Sequence, residues 1–366
     1  GFVMYTYVVY PLTVIAIAHR RRHRRRLSKF KAVPGAVIVP AYNEGGCIAA
    51  KIRNVLASAY PPDMLRVVVV SDGSTDDTVA QAQSVQDPRV RVLASSQRGG
   101  KVAAINRAVA TVDEPVLILT DAAELFDRHA ISFLVEKLGD PAVGAVSGEL
   151  KFVDVDTGFS RNLGLYWQYE TGIRRAESAC ASMVGVTGAI YAIRRECFKN
   201  ISPDTILDDM AIPLEVVRQG RRVEFNPRAF AYEHATVDVT QEFLRKRRTL
   251  AGNYQLLFRY WDLLIPFRSP IAWQLWSHKL FRLLVPYALL GIFVSSWFLP
   301  MPYAGILVAA QVLFYGSAWA AYRWRGRVHG AAFSLPYTFC ALNWAAIAGS
   351  YYYFSGLQSA RWEKAK

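Results

Sequence analysis

From residue 33 onward the chain alternates short runs of consecutive apolar residues with polar stretches in which apolar residues recur every three or four positions. The runs 36-AVIVP-40, 67-VVVV-70 and 116-VLILT-120 show no polar alternation, as expected of strands covered on both faces. Between them, 44–58 and 76–86 read as helices, and in the first Ile48, Ile52, Val55 and Leu56 share one side. Further on, 210–219 reads as a helix and 222-RVEF-225 as a strand. Apolar strands alternating with helices predict a doubly wound, mostly parallel α/β sheet. Ligands of such sheets bind beyond the carboxyl ends of the strands, where Asp72 follows the second run and Asp121 the third. No GxGxxG follows the first strand, so a dinucleotide-binding domain is not expected.

Outside that region the pattern changes. Residues 2–18 carry no charge, and a second apolar region runs from about 283 to 356. Each has stretches of about 20 apolar residues, the length that crosses a bilayer. The expected organisation is therefore a transmembrane helix at 1–18, a basic linker at 19–33 and a cytosolic catalytic-sized domain at 34–265. An interfacial helix at 266–282, a transmembrane region at 283–356 and a tail at 357–366 follow. The stretch 271-IAWQLWSHKLFR-282 mixes Trp, His, Lys and Arg with apolar residues, which suits the membrane interface. Spans are expected at 283–299 and 303–322, whereas 331–354 reads as one crossing, as a hairpin or as a segment lying in the interface.

The net charge of +14, from 43 Lys and Arg against 29 Asp and Glu, is partly local. The run 19-HRRRHRRR-26 directly follows the first apolar span, the arrangement of a positive-inside anchor. Nucleic-acid binding is not expected from it, nor is a cleavable leader, because the basic residues follow the apolar run. Cys47, Cys180, Cys197 and Cys340 show no metal-binding spacing and read as idle thiols in a reducing compartment.

Seven motifs then occur in one order: 39-VPAYNE-44, 71-SDGSTDDT-78, 99-GGKVAAINRA-108, 120-TDA-122, 185-GVTGAIYAIRRE-196, 207-LDDM-210 and 245-RKRRTLAGNYQ-255. Together they resemble the family 2 glycosyltransferases of the GT-A fold, in particular membrane-integrated enzymes of the hyaluronan, chitin and cellulose synthase type. The resemblance covers roughly residues 34–260. It implies an inverting transferase that moves a sugar from a nucleotide-sugar donor, most simply a UDP-sugar, to a lipid-linked or glycan acceptor in cell-envelope synthesis. It also implies Mg2+ or Mn2+ as cofactor and the plasma membrane, such as a bacterial inner membrane, as the location.

Residue by residue, the resemblance places Ala41, Tyr42 and Glu44 around the nucleotide, with Asp72, Lys101, Asp121 and Arg248 also on the donor. Gly188 and Ala189 fall beside the acceptor. Asp209 matches the base that takes the acceptor proton, and Asp208 stands where the family carries Glu. Asp76 and Asp77 read instead as caps of the following helix. Asp121 begins the family's Asp-x-Asp metal motif, but its third position is Ala123, and Glu124 lies one residue out of register. The metal set implied is therefore Asp121 with His234. The Gln-x-x-Arg-Trp motif of processive synthases is 245-RKRRT-249 here, keeping Arg248 but with Arg245 for Gln and Thr249 for Trp. Single-sugar transfer and processive polymer synthesis both remain open, and a catalytically silent nucleotide-binding scaffold is the reading of another class.

Overall fold

The computed structural model describes residues 1–21, 31–153, 158–234, 239–324 and 330–361. Most of the arginine run and of the 19–33 linker, and parts of the 323–330 loop and the 361–366 tail, lie outside the described residues. In chain order the main elements are α1 (Phe2–Arg21), β1 (Gly35–Ala41), α2 (Gly45–Leu56), β2 (Leu65–Asp72), α3 (Thr78–Gln83) and β3 (Val90–Ser95). Next come α4 (Lys101–Val109), β4 (Val116–Leu119), β5 (Leu125–Phe126), α5 (Ala130–Leu138), β6 (Val143–Val153) and α6 (Gly158–Cys180). The remainder are β7 (Tyr191–Arg194), α7 (Asp208–Arg218), β8 (Arg222–His234), α8 (Val239–Arg259), α9 (Ala272–Ser296), α10 (Tyr303–Arg323) and α11 (Ala331–Phe354).

Eight strands form one sheet in the order β3-β2-β1-β4-β7-β6-β8-β5. β1 lies parallel to β2 and β4, and β2 parallel to β3, as continuous apolar strands require. β7 runs antiparallel between β4 and β6, and β8 lies parallel to β6. Side chains alternate across the strands and so divide the core in two. Val37, Val39, Val67 and Val69 pack with Ile48, Ile52 and Val55 of α2. Ala36, Ile38, Val68 and Val70 pack on the other face with Ile105 of α4 and Ile212 of α7. With helices on both faces, the carboxyl ends of β1, β2 and β4 open together at one edge.

The apolar segments attach to this domain through α6. Val14 and Tyr10 of α1 bury against Ile173, Ala176 and Cys180, and the Tyr10 hydroxyl donates to Glu177 Oε1 at 2.5 Å. His278 of α9 sits between Glu177 (2.7 Å) and Glu170 (3.1 Å), and Arg282 pairs with Glu170. One helix, α9, runs from Ala272 to Ser296. In it Ser277 and His278 are buried at 1% and 2% exposure, bonded to Tyr5 and Glu177. Among the described residues, Phe2–Arg21, Ala272–Ser296 and Tyr303–Arg323 are long and apolar enough to cross a membrane. The end of α11 returns to the domain, where Tyr353 stacks on Tyr254 with ring centroids 6.1 Å apart.

Candidate active site

The loops after β1 and β2 are lashed together. Asn43 adopts a left-handed backbone (φ 53°), and its side-chain oxygen accepts the Thr75 N–H at 2.8 Å. The Glu44 N–H donates to Thr78 Oγ1 at 2.8 Å. Asp76 accepts the N–H groups of Gly45 and Thr78, both at 3.0 Å, so it caps α3 as expected and braces α2 as well. Asp77 holds the N-cap position of α3 but makes no capping hydrogen bond. A Cβ at residue 45 would lie 1.8 Å from Asp77 Oδ1, so any other residue there would have to push the Asp77 side chain aside. Ala41 and Glu44 are buried, and Tyr42 lies under the Arg98 guanidinium, 3.8 Å from the ring centroid.

Asp72 closes this side of the cleft. Its two oxygens accept the N–H groups of Gly99 and Gly100, each at 2.7 Å, which fixes the turn that delivers Lys101 to the start of α4. The Lys101 ammonium then lies 2.7 Å from Asp121 Oδ1 and 3.2 Å from Asp208 Oδ2. Burial alone would depress this lysine, but Asp121 and Asp208 outweigh it and hold its pKa well above the usual range. Asp208 and Asp209 form the first turn of α7. Burial and then the Asp208 charge push Asp209 up to about 6, against the pull of Lys101, Arg174 and Lys279.

Gly188 faces this cluster. A Cβ built there would come within 3.5 Å of Asp209 Cβ, 3.6 Å of Lys101 Nζ and 3.7 Å of Asp121 Oδ2. Glycine thus leaves open the one space on which the three groups converge. The loop is held by the Val186 N–H on the Asp209 carbonyl (2.8 Å) and by Arg174 on Thr187 Oγ1 (3.0 Å).

The donor atoms suit a hard cation in part. Asp121 Oδ1 and Asp208 Oδ2 are buried without an aligned hydrogen-bond donor, although Lys101 is within ion-pair distance of both. Two such carboxylates supply the oxygen chemistry of Mg2+ or Mn2+, with phosphate oxygens needed to complete it. Among the described residues no group of three or more His, Cys, Asp and Glu could hold a metal. Glu124 turns into the core, where burial, then Asp121 and Glu233, push it up to about 8. His234 ends β8, and its side chain lies outside the described residues.

Several contributors carry no signature in the motifs. Lys51, fully buried in α2, donates to Thr120 Oγ1 (2.7 Å) and to the Glu124 carbonyl (2.5 Å). Burial pushes its ammonium down to about 7 against the Glu124 and Asp121 charges. Thr120 in turn donates to the Ala189 carbonyl at 2.7 Å, tying the Asp121 loop to the Gly188 loop. One clue was available: Lys51 falls on the helical face of Ile48, Ile52 and Val55. Arg248 of α8 donates to the Ile206 and Ala360 carbonyls at 3.0 and 3.2 Å.

Residues 36–202 match the model of the Glycosyl transferase family 2. An N-acetylglucosaminyltransferase of Rhizobium meliloti (strain 1021) is 26% identical over 230 residues, which cover 58% of this chain and 53% of that protein. An uncharacterized glycosyltransferase of Escherichia coli (strain K12), YaiP, is 28% identical over 284 residues, covering 75% and 69%. The chain thus spans about half the length of the first of these relatives. In structure it is similar to the mannosyltransferase PcManGT from Pyrobaculum calidifontis, solved in complex with GDP-Man and Mn2+. That likeness has a TM-score of 0.72 at 22% identity and covers 96% of this chain and 97% of the other. The mixed sheet is thus GT-A-like in fold, and residues 36–202 carry the likeness to the family 2 glycosyltransferases.

Proposed function

We propose that the chain is an inverting, cation-using transferase that moves a sugar from a nucleotide-diphosphate donor to a hydroxyl of a membrane-associated acceptor. One observation carries this reading: Asp121, Asp209 and Lys101 converge on the space that Gly188 leaves open. An acceptor hydroxyl in that space meets Asp209, which takes its proton as the oxygen bonds to the anomeric carbon. The bond from that carbon to the diphosphate breaks on the opposite face, its electron pair leaving on the phosphate oxygen, and the configuration inverts. Lys101 and Arg248 oppose the charge that develops on the diphosphate. Asp121 would hold a divalent cation, which when bound adds further positive charge at that leaving group. Tyr42, with Arg98 on its ring, offers a flat surface for the nucleotide base.

A single transfer fits better than processive synthesis. Arg245, in place of the processive motif's Gln, is tied to Glu242 at 2.5 Å and lies 3.6 Å from Glu233. Thr249, in place of its Trp, bonds back to its own helix at the Arg245 carbonyl. No aromatic platform for a growing chain is offered at that position. We place the domain on the cytosolic face of a bacterial inner membrane, carried by α1, α9 and α10.

The test is nucleoside-diphosphate release by the detergent-solubilised chain from UDP- and GDP-sugars, with Mn2+, with Mg2+ and with chelator. Release from one donor that stops on chelation is the expected result. Neither binding nor turnover of any nucleotide sugar would overturn the reading.

A further inference from the structure

Beyond Asp209, on the side of α6 and α9, lies a second group of charges that the transfer step does not use. Arg174 of α6 holds Thr187, the neighbour of Gly188, at 3.0 Å. Trp167, two turns earlier on α6, has the Arg174 guanidinium 5.9 Å and the Lys246 ammonium 5.0 Å from its ring centroid. The Trp167 indole N–H is buried and meets no acceptor among the described residues. Lys279 of α9 is partly buried and has no hydrogen bond or ion pair there, although its charge reaches both Arg174 and Asp209.

Among the described residues the nearby acids are shared with other partners. Glu170 pairs with His278 and Arg282, and Glu177 with His278 and Tyr10, while the charges of both reach Lys279. Glu242 pairs with Arg245 at 2.5 Å and with Lys246 at 3.7 Å. Gathered cations and a buried N–H without an acceptor are both unfavourable, and an oxyanion between them would relieve both.

We propose that Arg174, Lys246, Lys279 and the Trp167 indole N–H form a subsite for a phosphate group of the acceptor, between Asp209 and the apolar helices. This rests on the reading of Asp209 as the base and deepens it. The acceptor is then a sugar joined through phosphate to a lipid. Its free hydroxyl meets Asp209, its phosphate lies one sugar ring away, and its chain continues along α1 and α9. A phosphate, with several oxygens and up to two charges, matches donors arriving from three helices better than a carboxylate does.

The experiment measures binding of farnesyl phosphate, farnesol and inorganic phosphate to the detergent-solubilised full chain. Farnesyl phosphate is expected to bind at least tenfold more tightly than farnesol, and inorganic phosphate to compete with it. Trp167→Phe keeps an aromatic side chain and removes the N–H donor, and Lys279→Gln removes an unpaired charge. Each should weaken farnesyl phosphate binding by about tenfold while leaving nucleotide binding unchanged. Equal binding of farnesol, no effect of either substitution, or equal displacement by phosphatidylglycerol would overturn the subsite. Phosphate-selective binding in a chain that neither binds nor turns over nucleotide sugar would sink the catalytic reading and leave the anion site standing. Donor turnover without phosphate selectivity would do the reverse.

Discussion

Replacing Asp209 by Asn tests the centre of the site by separating catalysis from stability. Burial and the Asp208 charge raise the carboxyl of Asp209 from an ordinary 3.8 to about 6. That difference of about two units corresponds to at most roughly 3 kcal/mol spent at neutral pH to keep the group ionised. The sign follows from the direction of the shift. Because the folded value exceeds the unfolded one, this group's contribution to stability is complete below about pH 4 and is lost as pH rises through about 6. Asp209→Asn should therefore melt several degrees higher than the parent at pH 7.5, with the gain shrinking toward zero at pH 4.5. The melting curves belong in chelator, so that no cation intervenes. The same variant should bind donor normally and lose about 10²–10⁴-fold in transfer, the range for a general base. In the parent, transfer should rise with pH through about 6 and level above it. Three results would refute the reasoning: parental turnover in the variant, a stability gain independent of pH, or outright destabilisation.

Other expectations follow from contacts already described. Asp72→Ala releases the N–H groups of Gly99 and Gly100, so the donor KM should rise at least tenfold, read from initial rates against donor concentration. Lys101→Met leaves Asp121 and Asp208 facing each other without their ammonium. About 3 kcal/mol of stability should be lost at pH 7.5, and acidification should restore part of it in thermal melts. Lys51→Met should cost a similar amount because it leaves Glu124 buried with unrelieved acids. The double change Lys51→Met with Glu124→Gln should recover most of that, measured as a coupling energy in a double-mutant cycle.

The parallel half of the sheet was legible because β1, β2 and β4 are covered on both faces and so are apolar without interruption. Asp72 and Asp121 stood out for the same reason, as acids where apolar runs end, whereas Asp209 was singled out by the likeness of 207-LDDM-210 to the family's motif. What was not legible depends on contacts distant in sequence. β6 and β8 pair across about 80 residues, and nothing local to either announces it. The burial of His278 within the stretch 271–282 was not legible, because Glu170 and Glu177, about a hundred residues earlier, give no hint that they receive it. Nothing local to Lys51 announces its contacts with Thr120 and Glu124, about 70 residues later. Asp72 was read as a ligand contact, and the backbone bonds its oxygens also accept from Gly99 and Gly100 were not legible.

The path of the chain after α11 has a practical side. Ala360 accepts from Arg248, and the Arg361 Cα lies 4.0 Å from where a Cβ on Gly100 would be. A fluorophore attached at position 361 would therefore sit beside the turn that delivers Lys101 and serve as a reporter of nucleotide arrival.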